Sequence, residues 1–245
     1  MEIRVFADVD SVAQAAAVLI ASQARIAVAD RDRFVLAVSG GHTPWLMLRA
    51  LAGRDIAWDA VDVLQVDERV VSNGHPDRNL MHISETLRHA PLPPEQIHAM
   101  PVDSPDLEAA AIQYELTLRQ IAGSPAELDL VHLGLGADGH TASLVPGDRV
   151  LEITDRDVAL TGVYQGHRRM TLTYPILNRA RRVLWIVTGK EKAEALHRLW
   201  AGDTSIPAGR VRREWALVLA DCSAASELDQ GSITEETWTK EGTCA

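Results

Sequence analysis

Histidine is the side chain best suited to moving a proton near neutral pH, and His140 sits in a setting that presents it. It falls near the end of Gly134-Leu135-Gly136-Ala137-Asp138-Gly139-His140-Thr141, where three glycines follow an apolar run. Asp138, two residues earlier, could orient the imidazole or hold substrate hydroxyls. A lone Asp-Gly-His could equally be a turn with a capping residue. The length of the glycine-rich frame argues for the catalytic reading.

Three other segments offer groups for an anion. Ser39-Gly40-Gly41-His42-Thr43-Pro44 joins an apolar run to a helix start. Free backbone N–H groups and the helix dipole would favour negative charge there, and glycine lets a phosphate come close. The competing reading is an ordinary turn capped by Thr43, and the segment lacks the further glycines or lysine of the known nucleotide loops. Asp67-Glu68-Arg69 places three charges at the end of another apolar run, where we expect them outside the core. Arg69 could hold a phosphate or stabilise an oxyanion; a surface ion cluster, including His75 and Asn79, is the alternative. Arg168 and Arg169 enter a short strand, and Lys190 and Lys192 open a helix, where lysine opposes the dipole. A bound anion would account for at least one of those lysines.

Metal chemistry is not expected. The nine histidines include no H-x-x-x-H or H-E-x-x-H spacing, and His132, inside an apolar run, reads as a packed core residue. No cofactor is implied either.

The elements that must position these groups alternate in type. Helical spacing covers Ser11 to Arg31, Thr43 to Leu51, Leu80 to Leu87, Leu107 to Ile121 and about Lys190 to Trp200. Buried-strand runs cover Phe34 to Ser39, Val61 to Val66, Leu128 to Leu135, Arg182 to Val187 and Trp215 to Ala220. Shorter strands are expected at Val158 to Val163 and Met170 to Thr173, and a polar loop from Asp67 to Asn79. Such alternation implies an α/β fold with a mostly parallel sheet and helices on both faces. Ligands bind beyond the carboxyl ends of strands in these sheets, so the four polar loops should converge. The simplest organisation is a single domain over 1–245 with a polar tail from about residue 229.

Composition narrows the partners. The chain has 245 residues, 47% hydrophobic, and a formal net charge of -10. Its overall field would repel nucleic acid and anionic membranes, while a local basic pocket could still take a small anion. The two cysteines, Cys222 and Cys244, form no evident disulfide framework, which fits a reducing cytoplasm. The N-terminus lacks a signal-peptide pattern, and no apolar run approaches the roughly 20 residues of a membrane span.

Taken together, S-G-G-H-T-P at 39–44, D-E-R-V at 67–70, L-G-L-G-A-D-G-H-T-A-S-L-V-P-G at 133–147, R-M-T-L-T-Y-P-I-L-N at 169–178 and V-T-G-K-E-K at 187–192 resemble the 6-phosphogluconolactonases of the glucosamine-6-phosphate isomerase superfamily. That resemblance implies a Rossmann-like sheet of the NagB/RpiA/CoA-transferase type. It implies a cytoplasmic, metal-independent hydrolase acting on a small phosphorylated sugar lactone, as a monomer or weak homo-oligomer. His140 would activate water, with Asp138 orienting it and Arg69 facing the carbonyl. Gly40, Gly41, Thr43, Asp67, Arg169 and Lys192 would bind substrate and its phosphate, Lys192 fitting the T-G-x-x-K spacing. His42 and Arg78 stand where serine or another small polar residue is usual. The related deaminases and isomerases resemble D-G-H-I-A-F-N-E-P with D-E-Y; here Val145 takes the glutamate position and the triplet is D-E-R. A non-catalytic sugar-phosphate sensor is the other alternative, without the basic module a DNA-binding regulator carries.

Overall fold

The computed structural model describes residues 1–229 and the backbone of a two-residue strand at 234–235. The rest of the expected polar tail lies outside the described residues.

Strand β1 (Glu2–Phe6) leads into α1 (Val9–Arg31). The Asp8 carboxylate caps this helix by accepting from the Ser11 N–H at 2.7 Å. Then come β2 (Phe34–Val38), α2 (His42–Ala52), β3 (Val61–Gln65), β4 (Asp67–Arg69), α3 (Asn79–Leu87), β5 (Ile97–His98) and α4 (Leu107–Ala122). The chain continues through β6 (Leu130–Gly134), β7 (Val158–Leu160), β8 (Arg169–Leu172), α5 (Tyr174–Arg179), β9 (Val183–Val187), α6 (Ala193–Ala201), β10 (Ala216–Asp221) and β11 (Thr234–Glu235).

Eight strands form a parallel sheet in the order β11-β1-β10-β9-β6-β2-β3-β5. Period-two alternation splits its side chains between two cores. Val35, Ala37, Val131, Leu133, Trp185 and Val218 pack with the residues of α4, α5 and α6 on one face. Phe34, Leu36, Leu130, Leu184, Ile186 and Leu219 pack with those of α1, α2 and α3 on the other. The expected α/β architecture with helices on both faces is therefore the observed one.

The order contains a switch point. From β2 the chain crosses to β3 on one side; from β6, the neighbour of β2, it crosses to β9 on the other. The connections part between β2 and β6, which opens a crevice beyond their carboxyl ends.

Several expectations are revised. The segment from Asp67 is not wholly loop: β4 pairs antiparallel with β8, and β7 completes a separate three-stranded sheet. Nor do its charges lie outside the core, since Glu68 is fully buried and Asp67 nearly so. Glu68 is tolerated there because it accepts from the Gln65 side chain and the N–H groups of Arg69, Asn79 and Leu80, and lies 3.3 Å from the Arg78 Nε. Lys190–Lys192 forms a short 3₁₀ turn ahead of α6. Helix α1 is long and apolar enough to cross a membrane by length and composition alone. It instead lays Val12, Ala16, Ile20, Ala24 and Ala27 into the core. Cys222 Sγ lies 3.3 Å from the Phe6 carbonyl; the other cysteine, Cys244, lies outside the described residues.

Candidate active site

The loops after β2, β3, β6 and β9 converge on one cavity of about 340 Å³. His140, Arg69, Gly40, Gly41, Thr43, Asp67, Arg169 and Lys192 all line it, joined by His42, Asn79 and Thr188. Asp138 stands behind the histidine rather than in the wall. Arg168 and Lys190 are not among the lining residues.

The loop after β6 is shaped around His140. The Gly136 N–H donates to the His140 carbonyl at 2.8 Å, and the Gly139 N–H donates to Gly136. Asp138 Oδ1 accepts from the His140 backbone N–H at 3.1 Å and lies 2.6 Å from its Nδ1. A carboxylate only accepts, so Nδ1 carries the proton and Nε2 is left with its lone pair free. Gly136 makes the pairing possible: a Cβ there would fall 2.0 Å from the His140 Nδ1 and 2.6 Å from the Asp138 Oδ1.

Burial raises the Asp138 carboxyl, but hydrogen bonds from the His140 side chain and backbone, its charge, and the Tyr164 hydroxyl together hold it below the usual carboxylate value. Tyr164 was not anticipated. Its hydroxyl lies 3.1 Å from Asp138 Oδ2, and its ring packs edge-on to His140 at 5.3 Å. Nothing in the sequence announced the contact with Asp138.

The opposite wall is cationic. Pairing of β4 with β8 places Arg69 directly across from Arg169. Arg69 Nη1 donates to the Asp77 carbonyl at 2.8 Å and to Asn79 Oδ1 at 3.0 Å. Arg169 is buried and its guanidinium lies over the Tyr164 ring, 5.1 Å from the centroid. Burial lowers its pKa, Asp67 and Tyr164 pull the other way, and Arg69 adds to the lowering. The buried Nε atoms of Arg69 and Arg169 lack a hydrogen-bond acceptor among the described residues. Two adjacent guanidinium groups with unmet donors are what a bound anion would satisfy.

The loop after β2 supplies backbone donors. The His42 and Thr43 N–H groups belong to the first turn of α2, where no intrahelical acceptor exists. Thr43 Oγ1 meets Thr188 Oγ1 at 2.7 Å, joining this loop to the one after β9. Gly40 lines the cavity and leaves room behind it: a Cβ there would fall 2.0 Å from Asn79 Oδ1. It makes room for the Asn79 amide that holds Arg69.

Val145, in the position where a carboxylate would distinguish the deaminase pattern, is buried and absent from the cavity wall. Among the described residues, no group of three or more His, Cys, Asp and Glu is arranged to hold a metal ion.

Known proteins resemble this chain over most of its length. Residues 7–219 match the family model described as glucosamine-6-phosphate isomerases/6-phosphogluconolactonase. The chain is 37% identical over 219 residues to a 6-phosphogluconolactonase of Nostoc sp., covering 86% of this chain and 91% of that protein. It is 38% identical over 211 residues to a 6-phosphogluconolactonase of Synechocystis sp., covering 82% and 88%. The crystal structure of 6-phosphogluconolactonase from Thermotoga maritima matches with a TM-score of 0.80 at 28% identity, over 90% of this chain and 98% of that one.

Proposed function

The chain belongs to the glucosamine-6-phosphate isomerase/6-phosphogluconolactonase family, and from that we propose that its cavity hydrolyses 6-phospho-D-glucono-1,5-lactone to 6-phospho-D-gluconate in the oxidative pentose phosphate pathway. One observation carries the reading: an Asp-backed histidine shares one cavity with two adjacent arginines whose buried Nε atoms have no acceptor among the described residues.

His140 Nε2 takes a proton from water as the oxygen attacks the lactone carbonyl carbon. The carbonyl oxygen becomes an oxyanion, stabilised by a cation already in place. The tetrahedral adduct collapses, the bond from carbonyl carbon to ring oxygen breaks, and His140 returns the proton to that oxygen. Asp138 keeps the imidazole in the correct tautomer and stabilises its charged form. The sequence suggested Arg69 for the oxyanion and Arg169 for the phosphate. The geometry favours the exchange. Arg169 approaches the histidine through Tyr164, whereas Arg69 is held by Asn79 against the loop after β2. The phosphate then lies among Arg69, Lys192, Thr43 and the first N–H groups of α2. The absence of a carboxylate at position 145 favours lactone hydrolysis over amine expulsion from an aminosugar phosphate.

Purified protein should accelerate loss of freshly generated lactone, and EDTA should not slow it. His140→Ala should lower kcat by about 10²–10⁴-fold while 6-phosphogluconate still binds. Full activity of that variant rules out His140 as the base. Ammonia release from glucosamine 6-phosphate, with no lactone turnover, would transfer the chain to the deaminase branch.

A further inference from the structure

We propose that Tyr164 is a positioning residue for the His140–Asp138 pair, locking the outer carboxylate oxygen so that the inner one stays on the imidazole. The inference deepens the lactonase reading and relies on it only for the reaction concerned.

Asp138 needs such a lock. Its side chain is 39% exposed, so water competes for the oxygen that His140 does not use. The Tyr164 hydroxyl occupies that oxygen at 3.1 Å. Gln165 Nε2 lies 3.4 Å from the same hydroxyl oxygen and can only donate, which leaves the phenolic proton for Asp138. The tyrosine ring meets His140 edge-on, and the Arg169 guanidinium lies over it. One side chain thus touches the base, the carboxylate that orients it and the cation assigned to the oxyanion.

The backbone around Tyr164 is built to hold it still. Tyr164 and His167 exchange backbone hydrogen bonds at 2.9 and 3.2 Å around Gln165 and Gly166. Both of those residues have positive φ, +49° and +85°, the pattern of a tight two-residue hairpin turn. Below the turn, Thr161 bonds the backbone of Arg169 in both directions, by N–H to carbonyl at 2.9 Å and from the Arg169 N–H to Thr161 Oγ1 at 3.1 Å. Beside it, His167 Nε2 lies 3.2 Å from Asp77 Oδ2, on the loop whose carbonyl holds Arg69. The hairpin is therefore fastened on both flanks, and its phenol is delivered at fixed height.

The test uses Tyr164→Phe, which keeps the ring and its packing. The Asp138 carboxyl, followed by its ¹³C resonance and assigned by its loss in Asp138→Asn, should titrate at higher pH in the variant. This measurement does not depend on turnover. With the lactone, kcat should fall roughly tenfold with KM little changed. In an Asp138→Asn background the same change should cost nothing further. An unmoved carboxyl titration together with wild-type kcat overturns the proposal. So does an additive loss in the double variant, or a rise in KM alone, either of which would place the hydroxyl on substrate. A moved titration in a protein that leaves the lactone intact would sink the lactonase reading and keep the positioning role.

Discussion

Arg69 and Arg169 face each other across the β4–β8 pair, yet their surroundings differ. Asn79 and the Asp77 carbonyl hold Arg69 on the side of the α2 loop. Arg169 is buried over Tyr164, beside the histidine. A cation on the phosphate contributes the same binding in the ground and transition states, whereas one on the carbonyl oxygen acts mainly as charge develops there. Substitution should therefore split the kinetic constants. Arg69→Gln should raise KM for the lactone by about 10-fold or more with kcat nearly kept. Arg169→Gln should lower kcat by about 10²-fold. Steady-state rates over a range of lactone concentrations decide it, and the opposite split would return the two arginines to the roles suggested by sequence.

At the scale of elements, Glu68 ties together the segment between β3 and α3. It receives the first two N–H groups of α3, where the N-cap residue Arg78 offers no side-chain cap, and its carboxylate lies against the Arg78 guanidinium. Both partners are almost fully buried. Glu68→Gln would leave the Arg78 charge without its counter-ion and exchange an acceptor oxygen for an amide donor. Removing one member of a buried pair costs about 3–5 kcal/mol, which thermal or urea unfolding of the variant would reveal; stability within about 1 kcal/mol of the parent would refute the hub. The sequence made the converging loops legible, because glycine and charge follow directly on apolar runs at Val38, Val66, Leu135 and Val187. It did not make Glu68 legible. A charged triplet reads as solvated unless its partners are known, and this carboxylate's partners lie mostly beyond a polar loop, at Arg78 and the first N–H groups of α3. Tyr164 was hidden for the same reason, its acceptor lying 26 positions away.

The whole molecule turns on the seam between β2 and β6, where the sheet's connections part and the site opens. His132 sits inside that seam, fully buried. Its Nδ1 accepts from the Ser39 N–H at 3.2 Å, and its carbonyl accepts from the Ser39 hydroxyl at 3.1 Å, at the start of the anion loop. The ring proton must then be on Nε2, which has no acceptor among the described residues, and a second proton would break the Ser39 contact. Burial accordingly pushes the imidazole down to about 3. Between that value and the unfolded value near 6.5, the unfolded chain binds a proton that the folded one refuses. Stability from this residue is thus complete above about pH 6.5 and falls as pH drops, by up to about 1.4 kcal/mol per unit. Urea unfolding at pH 7 and pH 5 should expose the slope, and His132→Gln should flatten it by about one proton at the cost of some stability at pH 7. Equal slopes in parent and variant would mean that the seam admits the proton. The β2–β6 crevice would then tolerate a charge that its packing, as described, has no means to hold.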